Sequence, residues 1–124
     1  MKLENIKFKA KRLDNGEWID GDLIHKETYV CIGYLSSEIP NITRVCRVDP
    51  STVCQFTGLT DYDGKDLYEG DIISFSDSYN QVVWEDDLCA FVLVDVESHS
   101  YYVHCDILKN CPFYIVGNKF DKKK

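Results

Sequence analysis

At 124 residues, with 44% hydrophobic and 13% aromatic side chains and a formal net charge of −7, the chain is too apolar to stay disordered and is sized for a single domain, residues 1–124. No apolar run approaches the ~18–20 residues of a membrane span. The opening "MKLENIKFKAKRL" has no apolar core of its own and reads as a strand rather than a secretory leader, so the expected location is the cytoplasm, with no membrane partner.

Period-two alternation begins at once. In "IKFKAK" Ile6, Phe8 and Ala10 share one face and lysines the other, the pattern of a half-buried strand. Asp14-Asn15-Gly16 then offers residues that tolerate positive φ, and Trp18 and Ile19 resume the apolar pattern, which predicts a hairpin. "GDLIHKETYVCIGYL" reads as strand, polar turn and strand. "NITRVCRVDP" is a further β-branched strand halted at Pro50. "DPSTVCQFTG" is ambiguous, with Asp49 or Ser51 able to cap a single helical turn.

The most patterned stretch is "TGLTDYDGKDLYEGDIISF", Thr57–Phe75. "DYDG" predicts a turn, because aspartate bonds its local backbone and Gly64 accepts positive φ. Glu69-Gly70 predicts a tight turn or bulge that launches a strand at Asp71. "SDSYN" is read as the next turn, "QVVWE" as the returning strand, Glu85–Asp87 as another turn, and "LCAFVLVDV" as a long apolar strand. "YYVHCDIL" reads as strand or short helix, and "PFYIVGNKF" as the last strand. No amphipathic helix of three turns is legible. The expected fold is mostly β with minor helix: N-terminal antiparallel hairpins, then a small SH3-like β-barrel over residues 67–120.

Several of the six cysteines, Cys31, Cys46, Cys54 and Cys89 among them, sit in apolar runs, and Cys105 and Cys111 complete the set. In a cytosolic chain this predicts reduced core or half-core thiols. Charge is segregated. Residues 1–12 carry five basic and one acidic side chain, residues 109–124 five and one, and residues 13–108 four and nineteen.

Known chemistries fit poorly. An EF-hand loop needs glycine at position six and glutamate at twelve; counted from Asp61, Gly64 is fourth and Glu69 ninth. His99, His104, Cys105 and Cys111 form no zinc-ligand spacing, and His104 and Cys105 are adjacent, so on a strand they face opposite ways. His25 is a lone strand-end histidine. No nucleophile–base motif, phosphate loop or metalloprotease helix is present. The reading is therefore no catalytic, cofactor-binding or metal residue, and no cofactor. Tyr101, Tyr102, Phe113, Tyr114 and Phe120 interleave with Lys109 and Lys119, as a nucleic-acid surface would require, but the acidic middle opposes phosphate.

Three segments carry a family resemblance: "IKFKA" at 6–10, "V-x-Q-F-T-G-L-T-D-x-D-G-K-D-L-Y-E-G-D-I-I" from Val53 to Ile73, and "F-Y-I-V-G-N" from Phe113 to Asn118. The chain resembles the YopX family of small proteins from bacteriophages, prophages and their mostly Gram-positive hosts. Residues 25–47 match no such motif. The resemblance implies a barrel-containing β protein that assembles as a homo-oligomer, with a hexamer among the counts to consider, and no known activity. Its signature positions are Thr57, Gly58, Leu59, Gly64, Tyr68, Glu69, Gly70 and Asp71, read here as fold determinants. The functional expectation is a non-enzymatic phage or prophage accessory protein in the host cytoplasm. It would act by oligomerisation and by binding a macromolecule whose identity the sequence does not give. The alternatives are a nucleic-acid-associated module using the basic termini, an acidic mimic of DNA, and last a small hydrolase or metal protein.

Overall fold

The structure is a computed structural model that describes residues 2–99 and 102–121, with no side-chain description at Tyr102. It is mostly β, and its strands pair antiparallel in two sheets. The chain divides into two compact units, residues 1–56 and 57–124.

In the first unit β1 (Phe8–Lys11), β2 (Trp18–His25), β3 (Val30–Leu35) and β4 (Thr43–Val48) form a meander, and the start of β5 (Cys54–Thr60) adds on the other side of β1. The predicted hairpin is there. Arg12 N–H donates to Glu17 O, Gly16 N–H to Arg12 O and Glu17 N–H to the Asn15 side chain. Alternation places Ala10, Ile32 and Val48 in a core completed by Phe8, Ile19, Leu23, Val30 and Val53. The sheet curls so far that the end of β1 meets β4 again through the Arg12–Val48 bridge. Asp49 caps the 3-10 turn Pro50–Thr52, accepting from Ser51 N–H at 3.0 Å. That settles the ambiguous segment: a capped turn, followed at once by β5, a strand the sequence did not announce. Gly58, at φ +90, hides it by interrupting the β-branched pattern.

In the second unit the rest of β5 pairs with β6 (Asp66–Tyr68). β7 (Asp71–Phe75), β8 (Ser78–Glu85), β9 (Ala90–Asp95) and β10 (Tyr102–His104) form a meander. After a 3-10 turn at Cys105–Asn110, β11 (Tyr114–Asn118) returns beside β7. The final strand thus pairs with the first member of the meander. The barrel itself does not close: β10 and β11 are the two outer strands of the order and are not paired among the described residues. The core is Leu67, Ile73, Val82, Leu93, Cys105, Leu108 and Phe113.

Two local readings change. The chain reverses after β7 on Ser76 and Asp77 alone, both at positive φ, so Ser78–Asn80 belong to β8. Two consecutive left-handed residues match the twist of the flanking strands, so no longer turn is needed. Leu88 and Cys89 lie outside β9, in a 3-10 turn whose end residue, Cys89, is left-handed. Of the two forms expected at Glu69-Gly70 the turn is the one found, and a register shift occurs instead in β11, between Ile115 and Gly117.

Candidate functional site

The signature positions lie in the second unit, where Thr57 and Asp71 bond the backbone of neighbouring strands. Thr57 Oγ1 donates to Leu67 O at 2.8 Å, tying β5 to β6, and Leu59 packs on the core. Asp61 is 6% exposed. Its Oδ1 accepts from Asp63 N–H (3.0 Å) and Lys65 N–H (2.8 Å), and its Oδ2 from Ile115 N–H (3.0 Å), 54 residues away. Gly64, at φ +83, closes that turn with a bond from its N–H to Asp61 O. Tyr68 is buried and Glu69 half-buried. Gly70, at φ +86, donates from N–H to Val82 O and accepts at its carbonyl from Lys119 N–H.

Asp71 is 1% exposed. One of its oxygens accepts from Tyr68 N–H at 2.8 Å, the other from the Asn118 amide at 2.9 Å. Asn118 in turn accepts from Phe120 N–H, and its own N–H donates to Asp121. Tyr62 N–H bonds Phe113 O at 3.0 Å. The segments 53–73 and 113–118 are therefore one hydrogen-bonded assembly, with two buried carboxylates as its acceptors.

Asp61 thus does more than bond its local backbone in the turn: it also reaches the last strand. Burial pushes the Asp61 carboxyl up, but the donors from Ile115, Lys65 and Asp63 outweigh it and hold its pKa below the ordinary carboxylate value. Sequence reasoning missed Asp61, Ile115 and Asn118 as partners. The available signal was the pairing of an Asp-x-Asp-Gly turn with a second motif far along the chain. Among the described residues no group of three or more His, Cys, Asp or Glu side chains is placed to hold a metal ion. His104 instead caps the turn that begins at Cys105, its Nδ1 accepting from Asp106 N–H at 3.4 Å. The aromatic Tyr101 and the lysines Lys122–Lys124 lie outside the described residues.

Among the described residues each unit carries an open groove. In the second, about 390 Å³ is lined by Thr60, Asp61, Tyr62, Lys109, Cys111 and Phe113, but the Asp61 carboxylate is already engaged. In the first, about 440 Å³ lies among Arg12, Leu13, Asp14, Tyr34, Val45 and Arg47, with the buried Cys46 beside them. Arg12 clasps Asp14 through two bonds of 2.9 and 2.8 Å, and Arg47 stacks 4.4 Å above the Tyr29 ring. No helix of the described residues is long and apolar enough to cross a membrane.

A family model described as YopX protein matches residues 7–123, across both units. The chain belongs to the YopX family. No curated protein sequence matches it. Within this YopX chain the three resembling segments play different parts: residues 6–10 lead into β1 of the first unit, while the other two meet in the assembly around Asp61 and Asp71.

All six cysteines are free, but they are not alike. Cys31, Cys46, Cys54 and Cys105 are buried, Cys111 is half-buried and Cys89 is exposed. Cys89 is the correction. Its apolar neighbours suggested a core position, and the left-handed turn takes it out of the strand instead. Burial, with Asp106 adjoining, pushes the Cys105 thiol up to about 12, so it is inert at neutral pH. A disulfide-exchange reagent added to native protein should modify Cys89 first, Cys111 next, and the four buried thiols at least tenfold more slowly. Denatured, unreduced protein should give six. A fast phase that survives Cys89→Ser would contradict this placement.

Proposed function

We propose that this YopX-family protein works by binding another macromolecule, and by self-association, rather than by catalysis. The observation that carries the reading is the β3–β4 hairpin. Leu35 (74% exposed), Ile39 (48%), Ile42 (44%) and Val45 (57%) place four large apolar side chains in water on one short element. Scattered single exposures are ordinary; several along one hairpin are the mark of an interaction surface. The central segment supports the same reading from the other side, because the Thr57 hydroxyl and the Asp61 and Asp71 carboxylates are taken up in holding turns and strands together. The phage or prophage setting comes from the resemblance alone.

Light scattering at micromolar concentration should give a mass well above 14.4 kDa. Pull-down from infected host cells, quantified by mass spectrometry against an Ile39→Asp/Ile42→Asp variant, should show at least one protein retained by the wild type and lost by the variant. A clean monomer that retains nothing specifically would defeat the proposal.

Nucleic acid is the second reading, favoured by lysines 7, 9 and 11 on β1 and just before it. Their ammonium groups lie over rings: Lys7 4.5 Å from Phe56, Lys9 4.7 Å and Lys11 5.5 Å from Trp18. Asp20 stands directly opposite Lys9 in the sheet. Charges so engaged release few counterions from DNA, and the second unit carries thirteen acidic against six basic side chains. Random duplex or single-stranded DNA should bind no tighter than roughly 10⁻⁵ M at physiological salt, near the usual non-specific range. Submicromolar, salt-resistant anisotropy changes would make nucleic acid the first reading.

A further inference from the structure

The groove of the first unit lies at a sheet edge. β4 is the last strand of its order, and no strand pairs with its outer side among the described residues. At its C-terminal end that outer side is already in use: Leu13 N–H donates to Arg47 O at 3.2 Å, and Asp49 N–H to Lys11 O at 2.8 Å. Backbone groups alternate in direction along a strand, so those of Val45 and Thr43 point the same way as those of Arg47. There the β1 end has turned away into its hairpin and leaves them facing the groove of about 440 Å³. A strand addition that the chain itself starts therefore stops halfway along β4.

The side chains around the gap say what fits it. Leu13 and Val45, each 57% exposed, offer apolar contact, and Leu35 lies on the same face of the hairpin as Val45. Arg47 and Arg12 line the groove, Arg44 is exposed on β4, and Asp14 is the one acidic side chain in the lining, already clasped by Arg12. The rim is thus cationic on a chain of net negative charge. Two copies meeting edge to edge would bring two such arginine sets together, which like-charge repulsion disfavours. An acidic strand meets the opposite sign.

We propose that the open edge of β4 takes up an extended segment of a partner protein, one that alternates apolar and carboxylate side chains, as an added strand. This rests on the binding reading above and names its surface and partner class. Backbone bonds to Val45 and Thr43 supply register. Leu13 and Val45 take the apolar side chains on one face of the added strand, and Arg44, on the opposite face of β4, pairs with the carboxylates, with Arg47 adding positive charge at the end of the groove. This is the division of labour in strand addition, where main-chain bonds give affinity and alternate side chains give specificity.

The probe is a fluorescein-labelled seven-residue peptide alternating glutamate and valine, compared with its lysine–valine counterpart and with a version N-methylated at the valines. Anisotropy is followed to millimolar protein, and amide exchange is read over residues 43–47. The glutamate peptide should bind saturably, weaken with salt, and slow exchange at Val45. The lysine and N-methylated peptides should bind at least tenfold more weakly. Val45→Pro removes one outward N–H and costs β4 no bond to β3. It and Arg44→Glu/Arg47→Glu should each cost at least tenfold, with circular dichroism unchanged. Equal binding of both peptides, binding that survives the arginine reversal, or no saturable binding by millimolar would each overturn the inference. If a protein partner is captured through Ile39 and Ile42 yet is indifferent to Val45→Pro, this edge is wrong while the broader binding reading stands.

Discussion

Gly21→Ala should be the most damaging single-methyl change in the protein. β2 and β3 run so close at this point that a Cβ on Gly21 would overlap the carbonyl oxygen of Gly33 and come within 3.1 Å of Ile32 Cγ2. The obstacle is backbone, so no rotamer change relieves it. The neighbouring pairs Asp22–Gly33 and Leu23–Ile32 would have to part, and Ile32 is 0% exposed at the centre of the first core. Overpacking of a core costs about 1–3 kcal/mol even where side chains can adjust, so about 3 kcal/mol is expected here. That corresponds to a fall of about 10 °C in Tm. Gly70→Ala is the informative contrast. Its Cβ would meet only the Asn118 amide and the Lys119 side chain, each at 3.3 Å, and the latter can swing aside. What remains is a left-handed backbone carrying a side chain, about 1 kcal/mol. Thermal melts in which Gly21→Ala costs no more than Gly70→Ala would show that β2 and β3 are not so closely apposed.

The sequence makes local features legible where one residue type has one use. Asn15-Gly16 predicts a hairpin and forms one; Gly70 predicts the start of β7 at Asp71 and delivers it. Legibility fails where the same residue serves two environments. An aspartate in a turn looks identical in sequence whether water or a distant N–H takes its carboxylate. Asp61 is legible as a turn former and Asp71 as a strand start, but not as acceptors for Ile115 and Asn118, which the last strand supplies. Gly58 disguised β5 because glycine usually marks an ending, and here the strand runs through it. Cys89 was misplaced because hydrophobic neighbours imply burial only while alternation continues, and it breaks at the Asp86–Leu88 turn. The candidate surface was least legible of all. Residues 30–48 read as two good strands, and nothing in their order shows which edge the end of β1 will leave half covered.

Removing the Asp61 carboxylate should release the last strand from the signature turn. Its two oxygens take three backbone N–H groups, two within the turn and one, Ile115, on β11. In Asp61→Ala those donors lose their acceptor in a part-buried setting, and an unsatisfied buried group costs about 1–3 kcal/mol. Water reaches some of them, so a total of about 3 kcal/mol is expected, with amide exchange at Ile115 accelerating most. Asp61→Asn keeps one acceptor oxygen but turns an NH₂ toward the remaining donor, and should cost about half as much. The two variants also predict a pH signature. The folded carboxyl titrates below its unfolded value of about 3.9, so its contribution is fully present above that pH and is lost as pH falls through the lower folded value. Wild-type stability should therefore hold from neutrality to about pH 5 and drop below about pH 4. The drop should be shallower in Asp61→Asn, which has no proton to take up there. Parallel acid limbs in urea denaturation of the wild type and Asp61→Asn would mean that the Asp61 carboxylate gains nothing from Ile115, and that β11 is held by its ladder with β7 and by Asn118 on Asp71 instead.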